Sequence, residues 1–157
     1  MNSGFELVGM ADPVDNRESS LTVVNARKEI ERASMWLDQF SVSAGLSGDV
    51  TARLLVALDE VLTNIITHAL ADALEGQREI WLCLRLRTDT LELEVSDDGP
   101  AFDPTGVVPE PKAARRAKRQ EGGVGLLFVR TLVDDVRFTR QNGRNCLTLF
   151  KWLAVSA

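Results

Sequence analysis

The alternation of apolar and polar residues divides the chain into segments of two kinds. Two stretches repeat every second residue, "EIWLCLRLR" (79–87) and "TLELEVSD" (90–97). That period predicts strands with one covered face and one wetter face. The "TD" link between them predicts a tight antiparallel hairpin. "SLTVV" (20–24) has strand composition, and "VRFTRQ" and "NCLTLFKWL" predict a closing hairpin that turns at Asn142-Gly143. Other stretches repeat at helical spacing. Ile30, Ala33, Trp36 or Leu37, and Phe40 recur in "ARKEIERASMWLDQFSVSAG", with Asn25 offered as N-cap and Gly45 as terminator. Leu54, Leu58, Val61, Leu62, Ile65, Ala69 and Leu70 form the stripe of a second helix, expected from Ser47 or Asp49 to about Ala73. A third helix is expected from the glycines of "EGGVGLLFVRTLVDDV" to about Asp134.

The order is strand, two helices, two strands, a long connection, helix, two strands. It predicts an α+β two-layer sandwich, a mixed and mostly antiparallel sheet covered on one face by helices. Residues 19–157 read as one domain. Residues 1–18 read as a polar tail, or "FELVG" adds an edge strand. The connection "DGPAFDPTGVVPEPKAARRAKRQEGG" holds four of the five prolines and is too long for a routine connector. Loops of this size are often lids.

Composition narrows the class. The chain has 157 residues, 45% hydrophobic and 26% charged, which suits one globular domain with a real core. A net charge of -5 argues against general nucleic-acid or anionic-membrane binding. No apolar run is long enough to span a bilayer, and the start lacks a basic region followed by an apolar one. A bacterial-style cytoplasmic protein is expected. Cys83 and Cys146 are too few for a metal site or disulfide framework and read as buried free thiols.

Several polar residues do not fit a core. Glu60, Asn64 and His68 are spaced i, i+4, i+8 and share a helix face in "LDEVLTNIITHAL". A solvated face can show this pattern. Glu and Asn on one ridge also suit a base and a hard-cation ligand, and oxygen ligands beside phosphates suit Mg2+. His68, the sole histidine, reads by itself as a packing or hydrogen-bonding residue. Asp97 ends a strand before Gly99 and Pro100, either as a simple polar turn or as an acceptor for an amino-bearing ring. Gly99 would then let backbone approach that ring, and Phe102 would cover it or pack under the loop. Gly122, Gly123, Val124, Gly125 and Leu126 open a helix, where backbone N–H groups and the helix dipole favour a phosphate.

In this order and spacing the three segments resemble the N, G1 and G2 boxes of the GHKL ATP-binding superfamily, whose fold is the Bergerat or histidine-kinase-type ATPase fold. "ALDEVLTNIITHAL", "VSDDGPAFDP" and "GGVGLLFVRTLVDDV", with the ending "NGRNCLTLFKWL", are similar to anti-sigma-factor serine/threonine kinases of the RsbW and SpoIIAB type. The likeness covers about residues 20–153. It implies Glu60 as general base, Asn64 on the Mg2+ that bridges the ATP phosphates, and Asp97 on the adenine amino group with Gly99 and Thr148 nearby. It implies Gly123 and Gly125 against the phosphates, and residues 103–121 as the ATP lid. An arginine of "KAARRAKR", Arg115 or Arg116, would reach the terminal phosphate, or the run is a solubilising loop. Pro100 and Ala101 replace the DxGxG form of the wider superfamily and fit the anti-sigma subfamily. The implied partners are a STAS-domain anti-anti-sigma substrate, a sigma factor or equivalent regulator, and a second copy of the chain. A non-catalytic ATP-binding module that sequesters its partner stays open. A histidine kinase is disfavoured, because the sole histidine lies inside the N box.

Overall fold

The computed structural model describes residues 16–101 and 123–154. Its elements are β1 (Arg17–Val24), α1 (Lys28–Ser43), α2 (Gly48–Asn64), β2 (Glu79–Leu86), β3 (Thr90–Asp97), α3 (Gly123–Leu132), β4 (Asp135–Gln141) and β5 (Arg144–Trp152). The strands form one sheet in the order β1-β2-β3-β5-β4, and every pairing is antiparallel. The hairpin expected at Asn142-Gly143 forms with both residues at positive φ, 54° and 75°, as a two-residue primed turn requires.

Strand parity divides the sheet into two faces. Leu82 and Leu84 of β2, Leu93 and Val95 of β3, and Leu147 and Leu149 of β5 point into one core with the helices. Leu54, Leu58, Val61 and Leu62 of α2 bury the expected stripe there, and Leu37 and Ala33 of α1 join them fully buried. On the other face Arg85 makes ion pairs with Glu94 at 3.1 Å and Glu18 at 3.6 Å. Cys83 and Cys146 alternate onto this wetter face, so both are free thiols but only half-buried, not core residues as their apolar neighbours suggest.

Three details depart from the sequence pattern. Asn25 does not cap α1, whose N-cap is Arg27 without a side-chain bond. Instead Asn25 is buried. Its amide donates to the Leu74 carbonyl at 3.0 Å and accepts from the Arg78 N–H at 2.9 Å. The residue therefore ties the end of β1 to the link before β2. Secondly, the second helix does not run on as α-helix to Ala73. Ser47 caps its start by accepting from the Val50 N–H, but regular α-structure stops at Asn64. Residues Ile65–Ala69 form a π-turn, closed by the Leu70 N–H on the Ile65 carbonyl at 2.8 Å. Such turns insert a residue and are frequent at functional sites. β1 starts at Arg17, three residues before the expected Ser20, and "FELVG" lies outside the described residues.

Asn25→Ala takes the acceptor from the part-buried Arg78 N–H and one of two donors from the Leu74 carbonyl, which keeps the Gln77 N–H, and costs about 1 kcal/mol. Urea denaturation of the variant against wild type measures it, and an unchanged midpoint would show that the tie contributes nothing.

Candidate functional site

Asp97 sits at the last position of β3 on the core-facing parity, 4% exposed. Its Oδ1 accepts from the Gly99 N–H at 2.8 Å and from the Asn145 amide at 3.2 Å. Both bonds converge on Oδ1, which leaves Oδ2 to accept from a ligand. Burial pushes the Asp97 carboxyl above the usual carboxylate range, against the lowering by those two donors. Asn145 is itself buried and donates to the Pro100 carbonyl at 2.8 Å, while its Oδ1 accepts from Arg140 at 2.8 Å. Arg140 also donates to the Gly99 carbonyl at 3.2 Å. Outside this network, Arg78 holds Asp98 through contacts at 3.1 and 2.7 Å and donates to its carbonyl at 3.0 Å. The turn after β3 is thus fixed from both sides.

Gly99 makes a close backbone contact that the sequence did not announce. A Cβ at this position would lie 2.8 Å from the Ala69 carbonyl oxygen and 2.8 Å from Asp97 Oδ1. Glycine is required because the turn closes onto the end of the π-turn that extends α2. That contact brings the Asp97 turn to the helix that carries Glu60 and Asn64. Both side chains are half-buried, and neither hydrogen-bonds to another described residue. His68 is exposed and follows the break at Ile65. The π-turn rotates it relative to an uninterrupted helix, so the i, i+4, i+8 ridge ends at Asn64.

Gly123, Val124 and Gly125 open α3, the element expected to begin there. Leu126, Val129 and Val133 bury one side of this segment, and α3 packs against α2. Leu126 therefore packs into the core. α3 leads into β4, whose first residue pairs with Phe150 at the end of the sheet remote from Asp97. Ten residues at about 1.5 Å each give α3 a length of about 15 Å. Phe102, Arg115, Arg116 and Gly122 lie outside the described residues, as does the expected lid, 103–121.

Thr148 is a correction. In the antiparallel register it pairs with Glu94, whereas Asp97 pairs with Asn145. Thr148 therefore faces the wetter side of the sheet, three positions along the strand. The residue beside Asp97 is Asn145, and parity was the signal for it: in "NCLTLF" it shares the phase of the core residues Leu147 and Leu149, where an unsupported amide would be costly. Arg140 carried no such signal.

The strand order and single helical layer define a GHKL-type ATPase fold. The profile of the family described as "Histidine kinase-like ATPase domain" matches residues 23–151, and the chain belongs to that family. Among its relatives, the serine/threonine-protein kinase BtrW of Bordetella bronchiseptica is 31% identical over 89% of this chain and 94% of its own length. The serine-protein kinase RsbW of Listeria innocua is 32% identical over 64% of this chain and 65% of its own. Two solved structures share the fold. The RsbU and RsbW domains of a Mycobacterium tuberculosis protein superpose with a TM-score of 0.59 at 16% identity, covering 86% of this chain and 32% of theirs. The SiaB-SiaC complex of Pseudomonas aeruginosa gives 0.55 at 17%, covering 85% and 89%.

Two outcomes follow from the geometry. Gly99→Ala forces the new methyl into a backbone carbonyl that cannot rotate away, and stability falls by about 2 kcal/mol in urea denaturation. The raised Asp97 carboxyl sets a pH dependence. An acid raised in the folded state favours folding below its unfolded value and loses that contribution as pH rises through the folded value. Asp97→Asn is exempt. Its stability relative to wild type therefore increases as pH rises from the ordinary carboxylate range toward neutrality, and a flat difference across a pH series would contradict this.

Proposed function

We propose that this chain is an ATP-dependent protein serine/threonine kinase of a bacterial partner switch. It phosphorylates a hydroxyl of a STAS-domain anti-anti-sigma protein and binds a sigma factor or equivalent regulator as its other partner, working as a homodimer in the cytoplasm. The observation that carries the reading is the Gly99–Ala69 junction. It supports a pocket in which a buried carboxylate lies at the end of the helix bearing Glu60 and Asn64. The names of the relatives BtrW and RsbW support kinase chemistry, and the fold shared with the SiaB-SiaC complex is compatible with a partner-binding role. No helix among the described residues is long and apolar enough to cross a membrane.

In this reading Asp97 Oδ2 accepts from the adenine amino group, with the Gly99 turn beside it. The N–H groups of Gly123 and Gly125 face phosphate oxygens at the start of α3, where the helix dipole favours negative charge. Asn64 would hold Mg2+ through its neutral side-chain oxygen. When bound, Mg2+ supplies neutralisation of phosphate charge. Glu60, one helical turn before Asn64 on the same ridge, takes the proton of the substrate Ser or Thr hydroxyl.

Glu60→Ala lowers transfer of labelled phosphate to a cognate STAS protein by at least about 100-fold. ATP affinity stays within about twofold of wild type, because Glu60 does not hold the nucleotide. A wild-type chain that binds ATP and transfers phosphate to none of the STAS proteins of its source organism would end the kinase reading in favour of a non-catalytic module.

A further inference from the structure

The registers of β3, β5 and β4 set three polar side chains in one row. Asp97 of β3 lies opposite Asn145 of β5, and Asn145 lies opposite Arg140 of β4. Residues directly opposite each other share a face of the sheet, so carboxylate, amide and guanidinium project together on the helical side. Val136 and Phe138 have the same phase on β4 and pack with the core. Arg137 alternates to the wetter face and stacks on Phe150. Arg140 thus continues an apolar stripe with a charge, beside the turn that carries Asp97.

The guanidinium fixes which way Asn145 faces. It can only donate, so the Asn145 oxygen turns to it at 2.8 Å. The amide nitrogen is then left to donate to Asp97 Oδ1 at 3.2 Å and to the Pro100 carbonyl at 2.8 Å. With the amide reversed, its oxygen would meet a carboxylate and a carbonyl, and its NH2 would meet a cation. Arg140 also donates to the Gly99 carbonyl at 3.2 Å. It therefore holds both groups that donate to Asp97, the Asn145 amide and the turn that offers the Gly99 N–H. Burial raises the Asp97 carboxyl most strongly. The Gly99 and Asn145 donors lower it, Asp98 raises it, and the charge of Arg140 lowers it. The neighbouring elements bring further charges. Arg78 is engaged by Asp98, and Arg144 stacks on Trp81 at the wetter face. β2 sets apolar Ile80 opposite Asp97. The helix end packed on the turn carries Glu60, half-buried, and His68, exposed, and α3 carries Arg130 in its last turn.

We infer that Arg140 is a positioning residue that sets purine specificity: through Asn145 and the Gly99 turn it keeps Asp97 an acceptor, so that the pocket takes a purine with an amino group at C6 over one with a carbonyl there. An ionised carboxylate accepts from the amino group and repels a carbonyl oxygen. A protonated carboxyl does the reverse, since it has a proton to donate to the carbonyl. The same site thus reads two different bases according to whether Asp97 holds a proton and whether Oδ1 stays occupied by its two donors. Arg140 acts through Asp97 and not by contact with the base.

This inference rests on the reading of Asp97 as the adenine acceptor, but its test is binding and needs no phosphate transfer. The full chain, as wild type, Arg140→Met and Arg140→Lys, is titrated calorimetrically with ADP and with inosine diphosphate across a pH series from mildly acid to neutral. The two ligands differ only at C6, so the ratio of their affinities cancels the titration of the phosphates. Wild type prefers ADP at neutral pH, and the preference shrinks as pH falls. Arg140→Met binds ADP about tenfold more weakly at neutral pH, the equivalent of one hydrogen bond to a charged group, and inosine diphosphate is affected much less. The pH at which its preference is lost lies above that of wild type, because the cation that lowers the Asp97 carboxyl is gone. Arg140→Lys keeps the charge without the planar fork. Its ADP preference is smaller than that of wild type, but the preference is lost at the same pH. Equal weakening of both diphosphates in Arg140→Met, with the pH profile of their ratio unchanged, makes Arg140 a staple of the hairpin and overturns the inference. Unchanged affinities overturn it too. If urea denaturation shows Arg140→Met unfolded, the lysine variant decides, and an ADP preference equal to wild type overturns the inference. Wild type that binds neither diphosphate ends the nucleotide reading and the inference with it. Wild type that shows the expected ratios and transfers no phosphate removes the kinase reading alone.

Discussion

The site depends on one close approach, backbone against backbone, where the turn after β3 meets the end of the second helix. Gly99 has no side chain, and the Ala69 carbonyl occupies the place a Cβ would need. This contact fixes the distance between a strand end and a helix end that are 30 residues apart in sequence. Everything polar nearby is arranged around it. The Gly99 N–H turns inward to Asp97, its carbonyl turns outward to Arg140, and Asn145 spans the two. A carboxylate in such a buried position is disfavoured by desolvation. Its two donors offset that cost only in part, which suits a group that gains a further partner on binding.

The π-turn at Ile65–Ala69 is part of the same solution. An α-helix continued past Asn64 would carry its last carbonyls elsewhere. The inserted residue re-aims the helix end while α2 keeps Leu54, Leu58, Val61 and Leu62 in the core. It also separates two tasks along one helix. Before the break, the helix presents Glu60 and Asn64. After it, the backbone meets the Gly99 turn.

Most of the fold was legible because its period is simple. The strands alternate cleanly and the helices carry full stripes, so the element order and the two layers follow from apolar positions alone. The Asp97 turn was legible because an acid and a glycine end an otherwise apolar alternation. What was not legible is non-local. Asn25 reads as a cap from its neighbours, yet its partners are Leu74 and Arg78, about 50 residues away. Thr148 and Asn145 were distinguishable only through the β3–β5 register, which no local feature states. The π-turn has no Pro or Gly to announce it, because packing against the Gly99 turn selects it.

The strand order has a consequence for how the molecule matures. β5 inserts beside β3, and β4 takes the outer edge, so the final hairpin docks as a unit. Asn145, which steadies Asp97, belongs to that hairpin. On the ribosome the carboxylate waits, without its side-chain donor, until some 50 further residues have been synthesised and threaded into place. A ligand that recognises the finished pocket thus discriminates complete chains from nascent or clipped ones, and its binding free energy is added only to the former.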